Sequence, residues 1–330
     1  MSVGRVLPMP QQAAVRRTGR LGIGCDAVAL AGDGQRWLCF DTVARWAGQM
    51  GNVGFPCPCR EPVMMSDAAG QKSRVRQQFN LASADYDSGP GCFAHYGRRL
   101  VDAINPSPGT SVLDIACGRG AILFPAAAAV GNEGAVVGID LADGMIQQTR
   151  EDARARGIKV RLEVGDAENL NFADESLDYV LCGFGIMFFP NQSRALDEFR
   201  RVLKPGGRLG VTTWRVPQIH EVRQVLTELG VNPPPYAPGW ITEPAVLSDL
   251  LVKCGFHDVQ VILDDAEFEY PNAEAYWEHA RGTGFRQVMD GLDTDVVRRG
   301  KALLRDRFGI SRASGMINVT MTALIGLATR

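Results

Sequence analysis

The feature that most constrains this chain is an alternation of strand-like and helix-like segments that begins near residue 110. Residues 111–116 read Ser-Val-Leu-Asp-Ile-Ala, a short apolar run of the kind a strand covered on both faces requires. The turn Cys117-Gly118-Arg119-Gly120 follows, and then helix-forming sequence over 121–130. A second strand over 135–140 ends on Asp140, and a helix over 143–155 is closed by Gly157. The third strand, 159–164, ends at Gly165-Asp166, and the fourth, 178–182, ends beside Gly183. A helix then shows Ala195, Leu196, Phe199, Val202 and Leu203 on one face of a 3.6-residue period. Arg200, Arg201 and Lys204 are expected in its last turn, and Pro205-Gly206-Gly207 stops it. A fifth strand covers 208–214. A helix over 245–254, a strand with a bulge over 259–270, a helical insertion over 272–308 and a last strand over 317–327 complete the pattern. Strands alternating with helices demand right-handed crossovers. The expected fold is therefore an α/β, doubly wound, mostly parallel seven-stranded sheet with a helical lid.

Such sheets bind ligands beyond the carboxyl ends of their strands, where the strand order reverses. Asp114, Asp140 and Asp166 all lie at or near such ends. The backbone of Gly118-Arg119-Gly120 can approach a ligand closely because glycine has no Cβ. Asp140 stands 20 residues after Gly120, a distance that suits a carboxylate accepting both ribose hydroxyls of an adenosine. Two ligands fit these facts, a nicotinamide dinucleotide and S-adenosylmethionine. The dinucleotide fingerprint wants a third glycine where Leu123 stands.

The residues from Val112 to Gly120 resemble the first motif of class I S-adenosylmethionine-dependent methyltransferases. Gly138-Ile139-Asp140-Leu141 resembles the ribose motif of that family. Gly165-Asp166-Ala167-Glu168 resembles its adenine motif, and Leu203-Lys204-Pro205-Gly206-Gly207 its turn before the fifth strand. The match runs from about Gln77 to Trp214 and is most like the small-molecule branch that includes quinone-pathway and natural-product enzymes. The resemblance implies that S-adenosyl-L-methionine is the cofactor. It implies that Asp114, Gly118 and Gly120 hold the amino-acid end and that Asp140 takes the ribose. Leu141 and Met145 then line the adenosine, Asp166 and the Ala167 N–H meet the adenine, and Gly183 borders the cofactor at the fourth strand.

Before the sheet, the segment from Arg74 to Tyr86 is similar to a family segment that forms a lid, which makes Tyr86 a candidate to border the sulfonium. His95, in the next helix, is a candidate general base. Lid segments are expected at about 70–105, 215–243 and 271–312, with Trp214, His220, Trp240, Tyr276, Trp277 and Phe285 as pocket walls. Asn232-Pro233-Pro234-Pro235-Tyr236 resembles a motif of adenine-N6 and glutamine methyltransferases but lies beyond the fifth strand, so it reads as a stiff turn. Quinone-ring enzymes carry an Arg-Asn pair where this chain has Met187-Phe188. That departure favours an apolar or aromatic acceptor, such as an intermediate of specialised metabolism, over a quinone precursor. A quinone C-methyltransferase and a non-catalytic S-adenosylmethionine-binding protein are the alternatives.

Composition trims the rest. A formal net charge of -2 gives no electrostatic support for nucleic-acid binding, and no apolar run approaches the ~18 residues of a membrane span. Eight cysteines are too sparse for a disulfide framework and read as reduced thiols of a cytoplasmic protein. Cys57-Pro58-Cys59 lacks metal-ligand spacing, so no metal is expected. Residues 1–64 lose all periodicity and read as a poorly ordered extension, with the methyltransferase domain over 65–330. The sequence does not state the oligomeric state.

Overall fold

The computed structural model describes residues 68–86, 89–216, 219–233, 239–283, 285–309 and 315–330. The expected extension over 1–64 lies outside them, as do Pro234, Pro235 and Tyr236 of the proline-rich turn. Two helices come first, α1 (Ala68–Ala82) and α2 (Cys92–Ile104). The α/β alternation is then β1 (Ser111–Ile115), α3 (Leu123–Val130), β2 (Ala135–Asp140), α4 (Asp143–Ala155), β3 (Arg161–Val164) and β4 (Leu177–Gly183). It continues as α5 (Gln192–Val202), β5 (Leu203–Val216), α6 (His220–Glu228), α7 (Pro244–Lys253) and β6 (His257–Tyr270). Helices α8 (Ala273–His279), α9 (Arg286–Asp290) and α10 (Thr294–Arg307) precede the last strand, β7 (Ile317–Thr329). No described helix is long and apolar enough to cross a membrane.

The seven strands form one sheet in the order β3-β2-β1-β4-β5-β7-β6. The first five run parallel, while β7 pairs antiparallel with both β5 and β6. Strand order reverses between β1 and β4, so the crevice outside their carboxyl ends is the place for a ligand. The bulge expected in β6 lies between His257 and Gln260, where the register shifts.

Three apolar clusters hold the fold. One lies between the sheet and α5 and α7, with Leu196, Phe199, Leu247 and Leu251 fully buried. A second lies between the sheet and α2 and α3, around Leu100, Ile104 and Leu123. The third is aromatic and gathers residues of α2, α6 and α8–α10 on the outer halves of β6 and β7. Two expectations change here. Helix α5 ends at Val202, so Lys204 lies past its last turn, where it pairs with Asp178 at 2.7 Å. Trp214, Tyr276, Trp277 and Phe285 are buried to 6% exposure or less within the aromatic cluster. They are core, because the long β6–β7 arm and its helices need an apolar centre of their own.

Candidate active site

The carboxyl ends of β1, β2 and β4 frame two cavities. The first is bordered by Asp140, Leu141 and Met145 after β2, by Asp166, Ala167 and Glu168 after β3, and by Lys72, Val75 and Phe79 of α1. The second runs between α2 and α3 and passes Asp114, Cys117, Gly120 and Thr212. Tyr86, Ala116, Gly118, Gly183 and Phe184 border both, so the cavities meet at these five residues. Ala116 and Phe184 take left-handed backbone angles, φ 55° and 52°, at the ends of adjacent central strands. Non-glycine residues seldom do so, and such strain concentrates at functional sites.

Each polar group of the site is set by its neighbours. Asp140 Oδ2 accepts from the Gly118 N–H at 2.9 Å and Oδ1 from the Ala142 N–H at 2.8 Å. Burial nevertheless pushes its carboxyl up to about 6, against the pull of these N–H donors. Asp114 is 1% exposed, and among the described residues neither of its oxygens has a side-chain hydrogen-bond partner. Burial, and then the charge of Asp140, raise its pKa well above the usual carboxylate range. Asp166 receives Lys72 at 2.7 Å and the Glu168 N–H at 3.0 Å. Burial disfavours the Lys72 ammonium, but Asp166 and Glu168 outweigh it and raise its pKa. Thr149 Oγ1 donates to the Gly118 carbonyl and fastens the glycine turn to α4.

The two glycines of that turn serve different needs. At Gly120, φ is +82° and a Cβ would lie 2.5 Å from the Phe124 ring, so packing demands glycine there. At Gly118 a Cβ would meet only Tyr86, at 3.8 Å, which leaves open space beside the backbone. Gly183 is also a packing glycine, since a Cβ would come within 2.5 Å of Ile122.

Around the junction the side chains are aromatic. Tyr86 stacks on Phe93 with centroids 4.9 Å apart, and Phe184 stacks on Trp214 at 4.0 Å. Phe79 meets both Tyr86 and Phe188 edge-on.

Comparison with known proteins agrees with this geometry. Residues 112–207 match the family described as Methyltransferase domain. Nocamycin O-methyltransferase of Saccharothrix syringae is 31% identical over 236 residues, which span 66% of this chain and 84% of that relative. The chain belongs to the class I S-adenosylmethionine-dependent methyltransferases. Aklanonic acid methyltransferase DauC of Streptomyces sp. (strain C5) is 44% identical over 144 residues, 43% of this chain and 66% of that relative. Demethylmenaquinone methyltransferase of Staphylococcus aureus is 35% identical over 148 residues, 43% of this chain and 61% of that relative. These two likenesses leave about a third or more of each relative unmatched.

The residues present in this methyltransferase fit S-adenosylmethionine. A buried carboxylate without a side-chain partner costs free energy and needs a cation, which the α-ammonium of the cofactor supplies. Asp114 is such a carboxylate, and it borders the same cavity as Gly118 and Gly120. Gly118, Asp140, Leu141, Met145, Asp166, Ala167 and Gly183 all border the first cavity.

The candidate base is placed elsewhere. His95 is exposed on α2, its ring edge-on to Tyr96 and Phe268, and it borders neither cavity. Phe93, Tyr96, Gly97 and Leu100 take the inward face of that helix, and the helical period turns His95 outward. Among the described residues, neither cavity is bordered by any of 215–243 or 271–312; of the expected lid segments, 70–105 supplies lining residues, on α1, on α2 and at Tyr86 between them. Sequence reading missed Lys72, Phe79 and Glu168, while Phe188, read as an apolar contact, does border the first cavity. The acid after the Gly165-Asp166-Ala167 run was the signal available for Glu168. Lys72 had none, because only the packing of α1 brings it 94 residues along the chain to Asp166.

Proposed function

We propose that this methyltransferase transfers the methyl group to an oxygen of a planar, largely apolar small molecule of specialised metabolism. The observation that carries this reading is the junction of the two cavities, where Tyr86 and Phe184 are backed by Phe93 and Trp214 in two stacked pairs. Rings of this kind attract a cation on their faces and receive a flat apolar acceptor. The name of the nocamycin relative, an O-methyltransferase matched over most of its length, supports oxygen as the atom.

S-adenosylmethionine, when bound, supplies an electrophilic methyl group on a positively charged sulfur. What the chain contributes is alignment and dryness. Transfer to an oxygen would need that oxygen in line with the methyl carbon and the sulfur, and ionised or losing its proton to water as the methyl arrives. Ala116, Gly118 and Gly183 border the place where the two cavities meet, and the aromatic rings there would exclude water. Asp114 would hold the amino-acid end of the cofactor, Asp140 the ribose and Asp166 the adenine. Tyr86 is the one ionisable residue among the five shared by both cavities, which supports a role for its phenol in orienting the acceptor. The reading carries with it a cytoplasmic location and no nucleic-acid substrate, the latter supported by the net charge of -2.

The test uses S-adenosylmethionine labelled in its methyl group. The protein is incubated separately with a hydroxylated anthraquinone carrying an acid side chain, a demethylated menaquinone precursor, transfer RNA and duplex DNA. Label in the anthraquinone, assigned to an O–CH3 group by NMR, is the expected result. Methylation of a ring carbon of the quinone precursor would replace this reading by the quinone one. Tight cofactor binding without transfer to a broad small-molecule extract would make the chain a binding protein.

A further inference from the structure

Helix α1 lines the first cavity with Lys72, Val75 and Phe79, yet only Ala82 of its 15 residues is fully buried. Beyond the half-buried Phe79, which meets Tyr86 and Phe188 edge-on, hydrophobic burial contributes little to holding it down. Its polar ties are unequal. The pair between Arg76 and Asp143 is more than half exposed on both sides, and pairs of that kind contribute little in water. Asn80 adds hydrogen bonds to the Asp143 carboxylate and the Gly144 N–H, at 2.9 and 2.8 Å. Lys72 is different. Its ammonium sits 2.7 Å from Asp166 and 2.8 Å from Glu168, and the Glu168 side chain is only 7% exposed. The second oxygen of Glu168 accepts from the Asn191 N–H at 2.7 Å. Asn191 follows directly on Phe188, Phe189 and Pro190, which border the same cavity, and Phe188 also meets Phe79 of α1 edge-on.

From this connection we infer that Lys72 is a positioning residue for the cofactor: through Asp166 and Glu168 it latches α1 to the turn after β3 and to the Phe188–Asn191 loop, which border the adenosine cavity. The inference rests on the proposed adenine role of Asp166. With Oδ2 on Lys72 and Oδ1 on the Glu168 N–H, the Asp166 carboxylate is held in one orientation before any ligand arrives. Each carboxylate oxygen has a second lone pair, so the Lys72 contact leaves Asp166 able to accept from an adenine amine. While the latch is shut α1 stays over this side of the cavity, so the latch slows dissociation of the cofactor. An ionic latch that is partly open to solvent also weakens with salt.

The experiment measures S-adenosylhomocysteine binding to the full chain by calorimetry and stopped flow, and amide hydrogen exchange of the protein without ligand. Lys72→Met is expected to raise Kd roughly tenfold, the scale of one hydrogen bond to a charged group, through a faster dissociation rate. Exchange should quicken across residues 68–82 and stay unchanged in the strands. Lys72→Arg should restore most of the affinity. Wild-type affinity should fall between ~50 and ~500 mM salt, while that of Lys72→Met stays nearly flat. Glu168→Gln should weaken binding in the same direction, and the double variant should be no weaker than the worse single one. Wild-type Kd and dissociation rate in Lys72→Met would overturn the inference, as would equal weakness of the Met and Arg variants. Asp166→Ala separates the two readings. Unchanged affinity there removes the adenine role of Asp166, whereas the exchange of α1 in Lys72→Met still decides the latch.

Discussion

The Gly118 N–H donates to Asp140 Oδ2 across 2.9 Å, so the glycine turn after β1 and the acid that ends β2 hold each other. The Ala142 N–H holds the other oxygen at 2.8 Å. The carboxylate is thus aimed into the cavity before a ligand arrives, and half-burial keeps it from being strongly acidic. Because its pKa is pushed up to about 6, a modest change of pH empties it of charge.

Cofactor affinity should follow that titration. The ionised form accepts both ribose hydroxyls, so affinity for S-adenosylhomocysteine should be flat above pH ~7 and fall about tenfold per unit well below 6. The sign for the empty protein is the reverse. The folded pKa lies above the unfolded value near 3.8, so the folded state binds the proton more tightly. Asp140 therefore adds stability as pH falls from above 6 toward 4. Calorimetric titration between pH 5 and 8 checks the first trend. Asp140→Asn should bind weakly at every pH and lose the inflection.

Asp114→Asn should separate stability from binding. The substitution replaces a buried carboxylate that lacks side-chain hydrogen-bond partners among the described residues by a neutral amide of the same shape. Unliganded protein should gain about 1–3 kcal/mol, a rise in Tm of several degrees, while cofactor affinity drops roughly 10- to 100-fold. Thermal scans with and without S-adenosylhomocysteine read both effects. A variant that loses stability and keeps affinity would show that the carboxylate has a structural partner and no ligand.

His95→Ala should leave turnover and cofactor affinity within about twofold of wild type. The side chain is exposed and borders neither cavity, and surface substitutions of this kind stay within about 0.5 kcal/mol. A hundredfold loss of kcat would place the histidine in the reaction after all. Tyr86→Phe is the informative neighbour. It keeps the stack on Phe93 and removes the phenol oxygen, so a fall in kcat without a change in cofactor affinity assigns that oxygen to orienting the acceptor.

Gly97→Ala should loosen the second cavity. A Cβ at Gly97 would lie 2.3 Å from the Ala121 carbonyl oxygen, which is backbone and cannot rotate away. Helix α2 must lift from the start of α3, at a cost of about 1–3 kcal/mol. Denaturant unfolding measures the cost. Cofactor affinity should fall with it, because Ala121 and Asp114 border the same cavity.

Much of this was legible in the residues. Local periodicity placed β2 and α4 at their observed limits, because a buried parallel strand and an amphipathic helix each write their pattern into consecutive residues. The acids at strand ends were legible for the same reason: a doubly wound sheet puts every parallel strand's carboxyl end on one edge. Tertiary structure alone decided the rest. The direction of His95 depended on which face of α2 meets the sheet, and Phe93 and Tyr96 took that face. Trp277 and Tyr276 could have walled a pocket or filled a core, and the length of the β6–β7 arm made them core. Lys72 reached Asp166 through the packing of α1, a contact between distant residues that no local pattern encodes. Local sequence determines which elements form and where they end. Which side chains meet across 50 or 100 residues is set by how the faces of those elements bury one another.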